Sequence, residues 1–72
     1  MDDARVEIIR SLLRSFCVHH FVDQKTGTPW WCVLPGRSLE RSAAVSEHRS
    51  FAEAKDEADR LVSEAILREL LG

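Results

Sequence analysis

Ser50–Leu71, SFAEAKDEADRLVSEAILRELL, is the stretch that decides the fold. Ser50 with Glu53 three residues on is a capping box: the serine hydroxyl can accept from the Glu53 amide, and the Glu53 carboxylate can reach back to Ser50 N–H. Behind it Ala54, Ala58, Leu61, Val62 and Ala65 recur at three- and four-residue steps, the apolar stripe of a helix that packs on something. From Phe51 to Leu70, six carboxylates face Lys55, Arg60 and Arg68, a local charge of −3 in a chain whose total is −2. Asp56–Arg60 and Glu64–Arg68 are favourable four-residue pairs on its solvated side.

Working outward, the segment before this helix reads as strand and turn. Trp30-Trp31-Cys32-Val33-Leu34 is a strand stopped by Pro35-Gly36. Cys17–Val22, short, β-branched and aromatic, is another. Asp23–Pro29 between them is turn chemistry, with Gly27 able to take a positive φ. Ala43 and Val45 alternate against Ser42, Ala44 and Ser46, which predicts a third strand over about Leu39 to Glu47. At the front, Asp2 to about Phe16 reads as a helix capped by Asp2 or Asp3, with Val6, Ile9, Leu13 and Phe16 on one stripe, widened by Leu12. The order is α-β-β-β-α. Hairpin connections make the sheet a three-stranded antiparallel meander, with both helices packed on one face. The class is α+β, and residues 1–72 form one small domain.

Side chains alternate between sheet faces, so Trp30, Cys32 and Leu34 point one way while Trp31 and Val33 point the other. With helices on one face, the other is expected to lie open, and one tryptophan with it. An exposed aromatic sheet face marks a contact surface.

Length and composition narrow the function. A chain of 72 residues buries only about 60% of its unfolded surface, so its core is thin and self-association is one way to complete it. Two cysteines are too few for a disulfide scaffold, and the Met1-Asp2-Asp3 start lacks the basic, apolar character of a secretory leader. No apolar run reaches the roughly 18 residues of a membrane span. A reducing, cytoplasmic setting with free thiols is expected.

Chemistry-bearing residues are few. Cys17, His19, His20, Cys32 and His48 include every thiol and imidazole, but their spacing matches neither the C-x2–4-C nor the H-x3–5-H pairs of zinc sites. A Cys–His nucleophile would need a third, orienting group, and none is marked. Thr26-Gly27-Thr28 is too short for a phosphate-cradling loop. No metal, no cofactor and no enzymatic activity are expected. Lys25, Arg37, Arg41 and Arg49, with Arg5, Arg10 and Arg14, form a modest cationic rim outside the acidic helix.

With that element order established, Ser50-x-x-x-Ala54-Lys55-x-x-Ala58 resembles the start of the second helix of the double-stranded RNA-binding domain. In that family alanines pack on the sheet and lysines touch phosphates across a groove, and Lys55 stands at one such lysine position. Phe51 and Ala52 replace the lysine pair just upstream. Asp56, Glu57 and Asp59 place negative charge where the duplex would lie. Gly27-Thr28-Pro29-Trp30 is only distantly similar to the family's Gly-Pro-x-His loop and has no histidine. The resemblance implies a similar fold without the usual phosphate contacts that supply most of the affinity.

The expectation is therefore a non-enzymatic protein-binding module, of the kind a phage or mobile element uses as an inhibitor of host defence, anti-CRISPR proteins included, or as a regulator. Its partner would present a basic site, as a nucleic-acid-binding protein does. Trp30 and Trp31 would supply buried area, and Asp56, Glu57, Asp59 and Glu64 steering and register. The alternative is nucleic-acid binding on the sheet, with Arg37, Arg41, Arg49 and Lys55 around it, favouring single strands. A homodimer joined through open sheet faces is the third arrangement.

Overall fold

The register of the first hairpin organises everything else. In the computed structural model, which describes residues 3–72, β1 (Phe16–Val22) pairs antiparallel with β2 (Pro29–Pro35) from Phe16↔Pro35 to Val22↔Pro29. The turn between them is held by Asp23: its carboxylate accepts from the amides of Lys25 (2.9 Å) and Thr26 (3.2 Å), and its carbonyl accepts from Gly27 N–H at 2.7 Å. Gly27 takes φ +71°, the left-handed conformation that glycine adopts without steric cost. Beyond β2, Gly36 turns the chain with φ +57°.

β2 is the central strand of the order β1-β2-β3 and supplies three of the five buried apolar residues among those described, Cys32, Val33 and Leu34; the others are Ala54 and Ala58. α2 (Phe51–Leu71) lies across the sheet on Val33, where Ala54 and Ala58 let its backbone approach closely. Phe16, Val18, Trp31 and Leu61 pack around that contact. Ser50 Oγ accepts from Glu53 N–H at 3.2 Å, as the cap requires. The return bond from Ser50 N–H to the Glu53 carboxylate is not formed among the described residues, so half of the expected capping box is present.

The architecture is α+β, α-β-β-β-α, a three-stranded antiparallel meander with two helices. Three expectations change in detail. The first helix, α1 (Asp3–Leu12), stops four residues early. Tight bonds from Arg14 and Ser15 N–H to the Ser11 and Leu12 carbonyls close its last turn, and Ser15 C=O then accepts from Gly36 N–H, which commits Phe16 to the sheet. The expected cap at Asp2 lies outside the described residues. α1 packs on α2, with Arg5 donating to the Glu69 carbonyl (2.6 Å) near the C-terminus of α2. No residue of α1 is fully buried, and Leu13, placed on the packing stripe, is 59% exposed.

The third strand is the second change. β3 spans only Ser46–His48, and Arg41–Ala43 form a single 3-10 turn where strand was expected. Val45 N–H still donates to the Val33 carbonyl at 2.9 Å, but the residues before it fold over β2 in place of pairing along it. The third change follows: the face opposite α2 is not open along β2. The 3-10 turn packs on that strand, and Cys32 and Leu34 on that side are completely buried.

Candidate functional site: an aromatic patch on the far sheet face

What the covering segment leaves open lies at the turn end of the hairpin. Phe21 and Trp30 are paired in register and point to the far face, as does His19. His19 and Phe21 rings lie 6.4 Å apart. Trp30 is half-buried, and the Arg49 guanidinium lies 5.0 Å from its ring centroid, a cation–π distance. Arg49 reaches it because the chain leaves β3 at His48 and turns into the α2 cap at Ser50.

Trp31 belongs to the other side. It packs on the α2 core, edge-on to Phe51 at 5.3 Å, with His20 stacked at 4.5 Å. Both rings are half-buried, but on opposite sides of β2: Trp31 packs toward α2, and Trp30 points to the far face under Arg49.

Next to the aromatic patch, the covering segment is pinned by charge. Arg41 Nε donates to Glu47 Oε2 at 2.7 Å, and its Nη1 stands 3.9 Å from Asp23. Cys32 Sγ donates to the same Glu47 oxygen at 3.5 Å. Arg41 holds the Glu47 carboxyl below its ordinary range, and the Lys25 and Thr26 amides do the same for Asp23. Burial, then the Glu47 carboxylate, push the Cys32 thiol up, so it stays protonated and unreactive at neutral pH. Sequence reading did not find Glu47 or Asp23; both sat in what looked like ordinary strand and turn positions.

The acidic residues of α2 do not join Trp30. At 100° per residue they spread around the helix, with Glu57 and Glu64 on one flank, Asp59 on the other and Asp56 outward. Arg60 binds Glu57 and, at 2.6 Å, Glu64; the contact with Arg60 lowers the Glu57 pKa. Lys55 grips Asp59 at 2.8 and 3.0 Å. Of the four residues expected around an alternative nucleic-acid surface, Lys55 and Arg41 are therefore held in ion pairs and Arg49 lies over Trp30. Arg37 lines a separate polar cleft with Glu7, Arg10 and Arg14.

Among the described residues no group of three or more His, Cys, Asp or Glu side chains could hold a metal ion, and no helix is long and apolar enough to cross a membrane. No protein-family model matches the chain, and neither the curated proteins nor the solved structures contain a significant match.

Proposed function

We propose that this chain is a non-enzymatic protein-binding module whose anchor is Trp30, with Phe21, His19 and Arg49 around it. The observation that carries the reading is the closure of the far face over Cys32 and Leu34 but not over Trp30. A half-buried tryptophan held by a cation on a rigid strand is the side-chain type that dominates binding energy at interfaces. The acidic α2 is a second, separate surface. Its field favours a partner with a basic site and supports an inhibitor or regulator that occupies such a site.

A second reading has one specific observation behind it. Arg49 lies over Trp30 with Phe21 in register beside it, which supports a surface on which an unpaired base would stack. Duplex binding through α2 has less support, because Lys55, at the position where the resemblance puts a phosphate contact, is engaged by Asp59.

Affinity purification from the native host with wild-type and Trp30→Ala proteins tests the leading reading. A protein recovered with the wild type and lost with folded Trp30→Ala supports it. Recovery unaffected by Trp30→Ala would contradict it. Mobility shift of mixed single-stranded RNA and DNA across a salt series tests the second reading, which requires binding that weakens with salt.

A further inference from the structure

The two edges of the sheet are unlike. β3 is three residues long, carries Glu47 and is followed by Arg49, so it is short and charged. β1 runs seven residues, Phe16-Cys17-Val18-His19-His20-Phe21-Val22, with no Lys, Arg, Asp, Glu or Pro. Natural sheets guard exposed edges with such residues, with bulges or with covering segments. Among the described residues, no backbone bond outside the β1–β2 ladder engages β1.

The hairpin geometry says which groups that edge presents. Asp23 N–H donates to Thr28 C=O (2.9 Å) and Gly36 N–H to Ser15 C=O (2.5 Å). Hydrogen-bonded pairs alternate along an antiparallel ladder, so Cys17, His19 and Phe21 also bond to β2. Pro29 and Pro35, opposite Val22 and Phe16, occupy the positions that need no N–H toward β1. Phe16, Val18, His20 and Val22 therefore aim their N–H and C=O groups outward.

We propose that this edge takes β1 of a second copy of the chain, in a two-fold antiparallel pairing centred on His19. That register sets Phe16 opposite Val22 of the other copy and Val18 opposite its His20. All four outward residues then fall in hydrogen-bonded pairs, giving about eight interchain bonds. Centring on Val18 or His20 leaves one outward residue unmatched and gives about six. An extended peptide of any sequence fills the same backbone bonds; what favours a second copy is that Leu13, Val22 and Phe51 stand exposed beside the edge on both chains and are covered together in a two-fold pairing. The side chains agree: Phe16 against Val22 is an aromatic–β-branched cross-strand pair, and no like charges meet within the strand.

The flank of the same edge is apolar and incomplete. A groove of about 350 Å³ runs between β1 and α2, lined by Leu13, Phe16, Val18, Phe51, Ala58 and Val62. Leu13, Val22 and Phe51, which border this side, are each at least half exposed. Lys55 and Asp59, paired with each other at 2.8 Å, stand at its rim, so the rim sets no net charge against a second copy. A stable interface takes about 800 Å² per partner, about a seventh of the 5272 Å² the chain exposes, and edge and groove are contiguous.

Disulfide trapping tests the register. In the proposed pairing the two His19 residues form a non-hydrogen-bonded pair with Cα atoms about 4.5 Å apart, within the disulfide range, whereas the two Val18 and the two His20 are offset by two residues and out of reach. In a Cys17→Ser, Cys32→Ala background, which removes the thiol directly opposite position 19 on β2, His19→Cys should give a covalent dimer under mild oxidation, and Val18→Cys and His20→Cys should not. Wild-type protein at about 100 μM should scatter as twice its 8.2 kDa mass, and His20→Pro, which removes one edge N–H, should keep its circular dichroism and return to monomer. Cross-linking strongest at position 18 or 20, or a monomeric mass with no cross-link at 19, would overturn the proposal, the latter leaving the edge to another chain. If His20→Pro does not fold, the cysteine series decides.

Discussion

Trp30 and Trp31 differ only in which side of one strand they occupy, yet their substitution should read out differently. Trp31→Ala removes the ring that joins Val33, Phe51 and His20 and should cost roughly 3 kcal/mol or more in urea denaturation. Trp30→Ala, whose half-buried ring lies under Arg49, should cost less than Trp31→Ala, through lost burial and the cation–π contact. Equal losses would mean that both rings are core. Ser50→Ala should lower stability by about 1 kcal/mol, because the Glu53 amide loses its acceptor. An unchanged midpoint would remove the cap from the account of α2. Alternation alone shows that the two tryptophans face opposite ways. It does not show which is inside, because every strand carries bulky residues on both sides. That choice is made by Ala54 and Ala58, which bring α2 down on Val33 and so on the Trp31 side.

Among the elements, the long helix and the hairpin were legible because their signals are local: a cap, a 3.6-residue stripe, and a turn whose Asp23 and Gly27 do what those residue types do best. The third strand was not. Ser42-Ala43-Ala44-Val45 alternates weakly, and its fate depends on a contact between Arg41 and Glu47 that no periodicity reveals. The cover and the surface of α2 together give the fold an acid dependence whose sign is fixed. Glu47, Asp23 and Glu57 all have lowered carboxyl pKa values, through Arg41, the Lys25 and Thr26 amides, and Arg60 respectively. A lowered folded-state value stabilises the fold above the unfolded carboxylate range, about pH 4. That contribution is lost as pH falls through the depressed values. Urea midpoints should therefore hold from pH 7 to about 5 and fall below about pH 4, and Arg41→Met should flatten part of that fall. An identical acid slope in Arg41→Met would show that the pair does not pin the segment. On the alkaline side the raised Cys32 thiol acts in the opposite sense: its contribution is present below the unfolded thiol value and lost as pH rises above it. Thiol labelling at pH 8 should accordingly modify Cys17 before Cys32, which is fully buried. Equal rates would contradict the closed far face.

At the scale of the whole molecule the chain is long for its size. Its Cα radius of gyration is 14.2 Å with extents of 50 × 19 × 15 Å, against about 11 Å for a compact domain of this length. α2 alone is 21 residues, about 31 Å, and it carries α1 along its C-terminal half, where Leu67, Leu70 and Leu71 remain exposed. Thinness of core was readable from length and composition. Which surfaces stay unfinished was not, because that depends on how far residues 36–45 reach over β2. The central claim is that Trp30 anchors a partner while Trp31 serves the fold. Isothermal titration of the recovered partner against Trp30→Ala and Trp31→Phe tests it most directly. The expected result is a loss of roughly thirtyfold or more for Trp30→Ala, about 2 kcal/mol, with Trp31→Phe close to wild type. Full affinity in folded Trp30→Ala, or a larger loss in Trp31→Phe, would contradict it.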